Sequence, residues 1–140
     1  MFALTAHNPM GEPASASANR AANARLESEL AALRSPAPVA SWRAFGFAAD
    51  WREDGFVVAF DPKDARAAER AVVSLAKKYE QGAVYAYEPM EGRPGYLTRR
   101  TVPAAMGDAV EADVAVARCD APRGDGLRRF ARREWTPEEE

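Results

Sequence analysis

Hydrophobic positions along the chain fall into short alternating runs, broken by two longer stretches in which they recur every three or four residues. Residues 2–6 (Phe-Ala-Leu-Thr-Ala) read as a strand with Phe2, Leu4 and Ala6 on one face. His7-Asn8-Pro9-Met10-Gly11 ends it, through the breaking action of Asn-Pro and Gly. An Ala-rich helix follows over about 17–34, with Ala22, Leu26, Leu30 and Leu33 as its apolar stripe and Ser15 or Ser17 as its cap. Ser35-Pro36 stops it, because the residue before proline disfavours the helical region.

Residues 41–49 and 55–60 read as two strands joined by Asp50-Trp51-Arg52-Glu53-Asp54, with Asp54-Gly55 as the turn signal. Phe56, Val58 and Phe60 share a face of the second. The second helix, about 62–80, carries the fullest set of end signals. Asp61 caps it, Pro62 sits in its first turn, Lys77 and Lys78 lie at its negative end, and Gly82 can supply a left-handed stop. Ala65, Ala68, Val72, Leu75 and Tyr79 form its stripe. Ala83–Tyr87 is a further strand, and Tyr96–Val102 and Ala112–Arg118 are two more runs that either extend the sheet or pair separately.

Strand, helix, strand, strand, helix, strand is the split βαβ order of a ferredoxin-like α+β fold. The expected architecture is an antiparallel sheet (βαββαβ) with both helices on one face, followed by a C-terminal strand pair and a tail. Residues 1–119 are expected to form one domain and 120–140 an extension.

Thr5-Ala6-His7-Asn8-Pro9-Met10-Gly11 is followed by Asn19 and Asn23, then by Trp51-Arg52-Glu53-Asp54-Gly55-Phe56. Lys78-Tyr79-Glu80-Gln81-Gly82-Ala83-Val84-Tyr85 comes last. Together these motifs resemble the DUF3293 family of uncharacterised small proteins, whose members share a Thr-Ala-x-Asn-Pro start and a Trp-x-Glu centre. A Gln-x-Ala-aliphatic-aromatic strand completes the family pattern. The resemblance spans about residues 3–87 and implies a domain boundary but no activity.

Composition narrows the chemistry. The chain has 140 residues, 47% hydrophobic and 29% charged, which is enough to bury a core without staples. Its formal charge of -2 creates no field that would gather nucleic acid or a membrane surface. A single cysteine, Cys119, and a single histidine, His7, leave no disulfide framework and no multi-Cys/His metal site. Neither a cofactor nor a metal is expected. No apolar run reaches the ~20 residues of a membrane span, although association with a membrane complex stays open. The compartment is open as well: cytoplasmic, or organellar, including a chloroplast protein whose transit peptide has been removed.

Two sets of residues are candidates for function. His7, Asn8, Asn19, Asn23, Glu53 and Gln81 would form a polar site at one end of the sheet, suited to a small polar ligand or a peptide backbone. Asn8-Pro9 and its neighbours can equally be local turn chemistry. No carboxylate pair or nucleophile–base pair is evident in the set. The second set is Trp51 with Arg128, Arg129, Phe130 and Trp135. Residues 121–133 hold five arginines against Asp125 before Glu138-Glu139-Glu140 reverse the sign. A basic, aromatic extension of this kind points to a protein partner with an acidic surface. Arg99-Arg100 read as edge-strand charges. Tyr85 and Tyr87 alternate on a strand without the glycine-aromatic motif of RNA readers, so nucleic acid is not an expected partner. The reading that follows is a non-enzymatic interaction module, an accessory subunit of a larger assembly. The alternative is a small-ligand binder or enzyme using His7, Asn8, Glu53 and Gln81.

Overall fold

The computed structural model describes residues 1–118 and 127–129, with only the backbone described at 48, 51, 108, 117 and 127–129. Its strands are β1 (Phe2–Leu4), β2 (Ala40–Ala48), β3 (Trp51–Ala59), β4 (Ala83–Pro89), β5 (Tyr96–Pro103), β6 (Val114–Arg118) and β7 (Leu127–Arg129). The helices are α1 (Ala16–Ala32) and α2 (Ala65–Lys78). All neighbouring strands are antiparallel, in the order β6-β5-β4-β1-β3-β2-β7. The four central strands, β4-β1-β3-β2, have the expected split βαβ arrangement, and β5 and β6 extend the same sheet rather than forming a separate hairpin.

Both helices lie on one face. Leu26 and Leu30 of α1 and Val72 of α2 are fully buried against Phe2, Leu4, Phe56, Val58 and Val84. Leu33, Leu75 and Tyr79 line the rim of this core. Ser15, not Ser17, caps α1: its Oγ accepts from the Ala18 amide at 3.1 Å. Asp61 accepts from the Lys63 amide ahead of α2, satisfying one of the donors a helix start leaves free. On α2, Ala65 is exposed and Ala76 takes the inward position instead.

Three expectations are corrected. The β2–β3 turn is Ala49-Asp50, between the paired Ala48 and Trp51, so residues 51–54 are strand and Asp54-Gly55 is no turn. Gly55 serves another purpose: a Cβ there would lie 2.5 Å from the Leu4 carbonyl oxygen, so only glycine lets the end of β1 come this close. The left-handed residue after α2 is Glu80 at φ 54°, while Gly82 leaves room for the Met106 side chain, whose sulfur would sit 2.9 Å from an added Cβ. Arg99 and Arg100 are not edge charges, since β6 pairs beyond β5; Arg100 bonds Glu69 of α2 and Arg99 lies 4.7 Å over the Tyr85 ring.

Within the expected extension, Leu127–Arg129 pair with Ala40–Trp42 of β2. Cys119, the boundary near 119–120, Phe130 and Trp135 lie outside the described residues.

Leu30→Ala should lower unfolding free energy by about 2–5 kcal/mol in urea titration, the cost of a cavity where the side chain is now enclosed. A loss under about 0.5 kcal/mol, the size of an ordinary surface effect, would contradict its place in the core.

Candidate functional site

Between β1 and α1 the backbone bonds to itself only around one 3-10 turn, Pro9–Gly11, and to Glu80 through the Met10 amide; side-chain amides satisfy much of the rest. Asn8 adopts the left-handed region (φ 46°), which asparagine tolerates better than most residues. Its Oδ1 accepts from the Ala14 amide at 3.0 Å and from Asn19 Nδ2 at 2.9 Å. The Asn8 backbone amide donates to Asn19 Oδ1 at 2.8 Å, so the Asn19 side chain bonds both the backbone and the side chain of Asn8. Asn19 is buried on α1, and its Nδ2 lies 3.4 Å from His7 Nε2.

One turn along α1, Asn23 accepts from the Ala6 amide at 2.8 Å and donates to the Asp54 carbonyl at 2.9 Å. Thr5 Oγ1 donates to that same carbonyl at 2.6 Å. Gln81, also buried, donates through Nε2 to the His7 carbonyl at 3.1 Å and the Tyr79 carbonyl at 3.0 Å.

Five of the six sequence candidates, His7, Asn8, Asn19, Asn23 and Gln81, therefore meet at one end of the sheet. Glu53 does not join them. It pairs with Gly46 and alternates with Asp54 and Phe56, which places it on the sheet face away from the helices. The amides spend their hydrogen bonds on backbone groups of this chain, so the cluster acts first as a brace for residues 5–14.

Beside the brace, a cleft of about 630 Å³ separates α1 from the β2–β3 hairpin. Arg20 and Glu27 line it from α1, and Arg43, Phe45, Arg52 and Asp54 line it from the hairpin. Arg52 is held twice: Nε donates to Asp54 Oδ1 at 3.1 Å, and the guanidinium lies 4.0 Å from the Phe45 ring centroid. Arg43 faces Glu27 at 3.8 Å.

A second cleft, about 730 Å³, runs between α1 and the end of α2. There Glu29 accepts hydrogen bonds from Lys78 and from the Tyr79 hydroxyl. Those two bonds hold the Glu29 carboxyl below its ordinary pKa. Burial, then the bond to Glu29, pushes the Tyr79 hydroxyl up to about 12.

The hairpin end carries what sequence reading missed. Phe45 is 51% exposed and Phe47 70% exposed, with ring centroids 5.7 Å apart. Their alternation with Arg43 was visible, but alternation by itself did not reveal that the inward face of this strand runs past its covering helix. Trp51 opens β3 at the same end, and Arg128 and Arg129 lie in β7; the structure describes their backbone alone. Among the described residues, no group of three or more His, Cys, Asp or Glu could hold a metal ion, and no helix is long and apolar enough to cross a membrane.

A family model described as a protein of unknown function (DUF3293) matches residues 4–84, over half of the chain, and the chain belongs to that family. No curated protein and no solved structure matches it.

Replacing Asn19 by Ala should cost about 1–3 kcal/mol in chemical denaturation, because buried groups bonded to it lose their partner. Glu29 supplies a pH test. Its folded pKa lies below the ordinary 4.5, so its contribution is complete above that value and disappears as pH falls through the folded one. Glu29→Gln should accordingly narrow the stability loss on acidification across that window, measured by thermal melts; parallel curves for the two proteins would exclude the linkage.

Proposed function

We propose that this member of the DUF3293 family is a non-enzymatic interaction module, an accessory subunit of a larger assembly, that docks through the end of its β2–β3 hairpin and the adjoining extension. One observation carries the reading: β1 pairs with β3 only as far as Phe56, while β2 and β3 continue to Ala48 and Trp51. The continuation presents Phe45 and Phe47 to solvent on one face, with Arg43 and Arg52 beside them. Exposed aromatics flanked by arginine are the composition of interface anchors, whereas lone surface apolar residues need no explanation. The partner suited to this surface offers an apolar pocket within an acidic rim.

The extension would supply a second, separate part of the docking surface, because β7 runs antiparallel to β2 and so away from the hairpin turn. β7 lies against β2 at Ala40–Trp42, six residues from the hairpin end, which is roughly 20 Å along a strand. Trp51 would add apolar contact at the hairpin end, while Arg128, Arg129, Phe130 and Trp135 would make the second contact with the same partner. The brace of amides supports this reading over the polar-site alternative, because its hydrogen bonds are already made within the chain.

Immobilised full-length protein should capture a defined partner from an extract of its native source. Phe45→Ser with Phe47→Ser should reduce that capture by at least about 30-fold, the loss expected if even one of the two rings is a binding hot spot of about 2 kcal/mol. Capture should also fall with added salt, since exposed arginines are screened. Equal recovery from the native and doubly substituted proteins, both shown to be folded by circular dichroism, would overturn the proposal.

A further inference from the structure

The cleft between α1 and the hairpin has a composition that the docking surface does not require. Three guanidinium groups line it, those of Arg20, Arg43 and Arg52, against the two carboxylates of Glu27 and Asp54. The formal balance of these five groups is one positive charge. Arg52 is the best prepared of the three. The Asp54 contact engages its Nε, and the Phe45 ring holds the guanidinium plane, leaving the two Nη groups to meet an incoming carboxylate side by side. Phe45 offers an apolar wall on the same side. The volume, about 630 Å³, lies within the range of about 300–1,000 Å³ typical of small-ligand sites.

We infer that this cleft binds a monocarboxylate joined to an apolar body, with the carboxylate on Arg52 and the body along Phe45. The charge balance separates this ligand from a phosphate dianion, which would overfill a site of net +1 while facing Glu27 and Asp54. Two sources supply the chemistry: a free organic acid, or a glutamate flanked by apolar residues in a protein partner. The first is independent of the docking proposal; the second rests on it.

Nuclear magnetic resonance titrations of the full chain at low ionic strength test the site with four probes: 3-phenylpropionate, its amide, inorganic phosphate, and the blocked tripeptide acetyl-Leu-Glu-Leu-amide. Saturable shifts at Phe45 and at the Arg52 side-chain Nε–H are expected with the acid or the peptide. Whichever binds more tightly identifies the source. The uncharged amide should bind at least tenfold more weakly than the acid. Arg52→Lys keeps the charge but loses the fork, and should weaken binding about tenfold. Arg93→Lys removes a comparable guanidinium, 4.2 Å over Tyr96 beside β5, and should change nothing.

The inference is overturned if neither the acid nor the peptide saturates, if the amide matches the acid, if Arg52→Lys binds like the native protein, or if phosphate saturates the same residues as tightly. Phe47 does not line the cleft, so Phe47→Ser tests docking alone. Lost partner capture with intact acid binding counts against neither arm of the site, and intact capture without acid or peptide binding rejects the site while sparing the docking reading.

Discussion

One side chain joins three elements that the backbone leaves apart. Asn23, on α1, takes the Ala6 amide just beyond β1 and gives a hydrogen bond to the Asp54 carbonyl on β3. Hydrogen bonds of this kind contribute about 1 kcal/mol each, and unlike apolar contacts they are made only at one alignment. Helix packing on a sheet tolerates sliding because apolar contact has no direction. The bonds of Asn23, with those of Asn19 one turn earlier, set how far along the sheet α1 sits. That position leaves the hairpin end uncovered and opens the cleft beside it. The polar cluster thus shapes the neighbouring surface while making its own hydrogen bonds within the chain.

Arginine and aromatic residues recur together in this fold for a physical reason. A guanidinium is planar and weakly hydrated, so it can lie on a ring without forfeiting as much solvation as an ammonium would. Arg52 on Phe45 and Arg93 over Tyr96 both use this property. At the hairpin the pairing also limits the cost of two exposed phenylalanines, since part of one ring is shielded by a charged group that keeps its own contact with water.

Much of the fold was legible in the sequence because its signals were local. The stripe of Leu26 and Leu30, the caps Ser15 and Asp61, and the alternation of Phe56 and Val58 each report a neighbour within a few residues. The order of elements then led to the sheet arrangement, and the motif resemblance agreed with the family match. What stayed hidden depended on distant partners. Asp54-Gly55 has the composition of a turn, but the glycine answers the Leu4 carbonyl, more than fifty residues earlier. Glu53 was grouped with the amides by motif, and strand alternation sends it to the other face. Glu29 stands on α1 and Tyr79 just past the end of α2, fifty positions apart, so no spacing could announce their bond. At the candidate site, sequence grouped amides that the structure places side by side and passed over the phenylalanines, whose exposure depends on where a helix stops.

The shortness of β1 bears on how the molecule assembles. Its three residues pair with Val58–Phe56 on one side and with Ala86 and Tyr85 on the other. β2–β3 and β4–β5 are neighbours in sequence and can close as local hairpins, whereas Phe2 must find partners more than fifty and more than eighty residues away. Such closures spend chain entropy before contact repays it, so they come late and slow the reaction. The two halves of the sheet can therefore become ordered separately and remain strangers until this segment slots between them. Cooperativity of the whole domain then resides in a strand too short to hold together by itself.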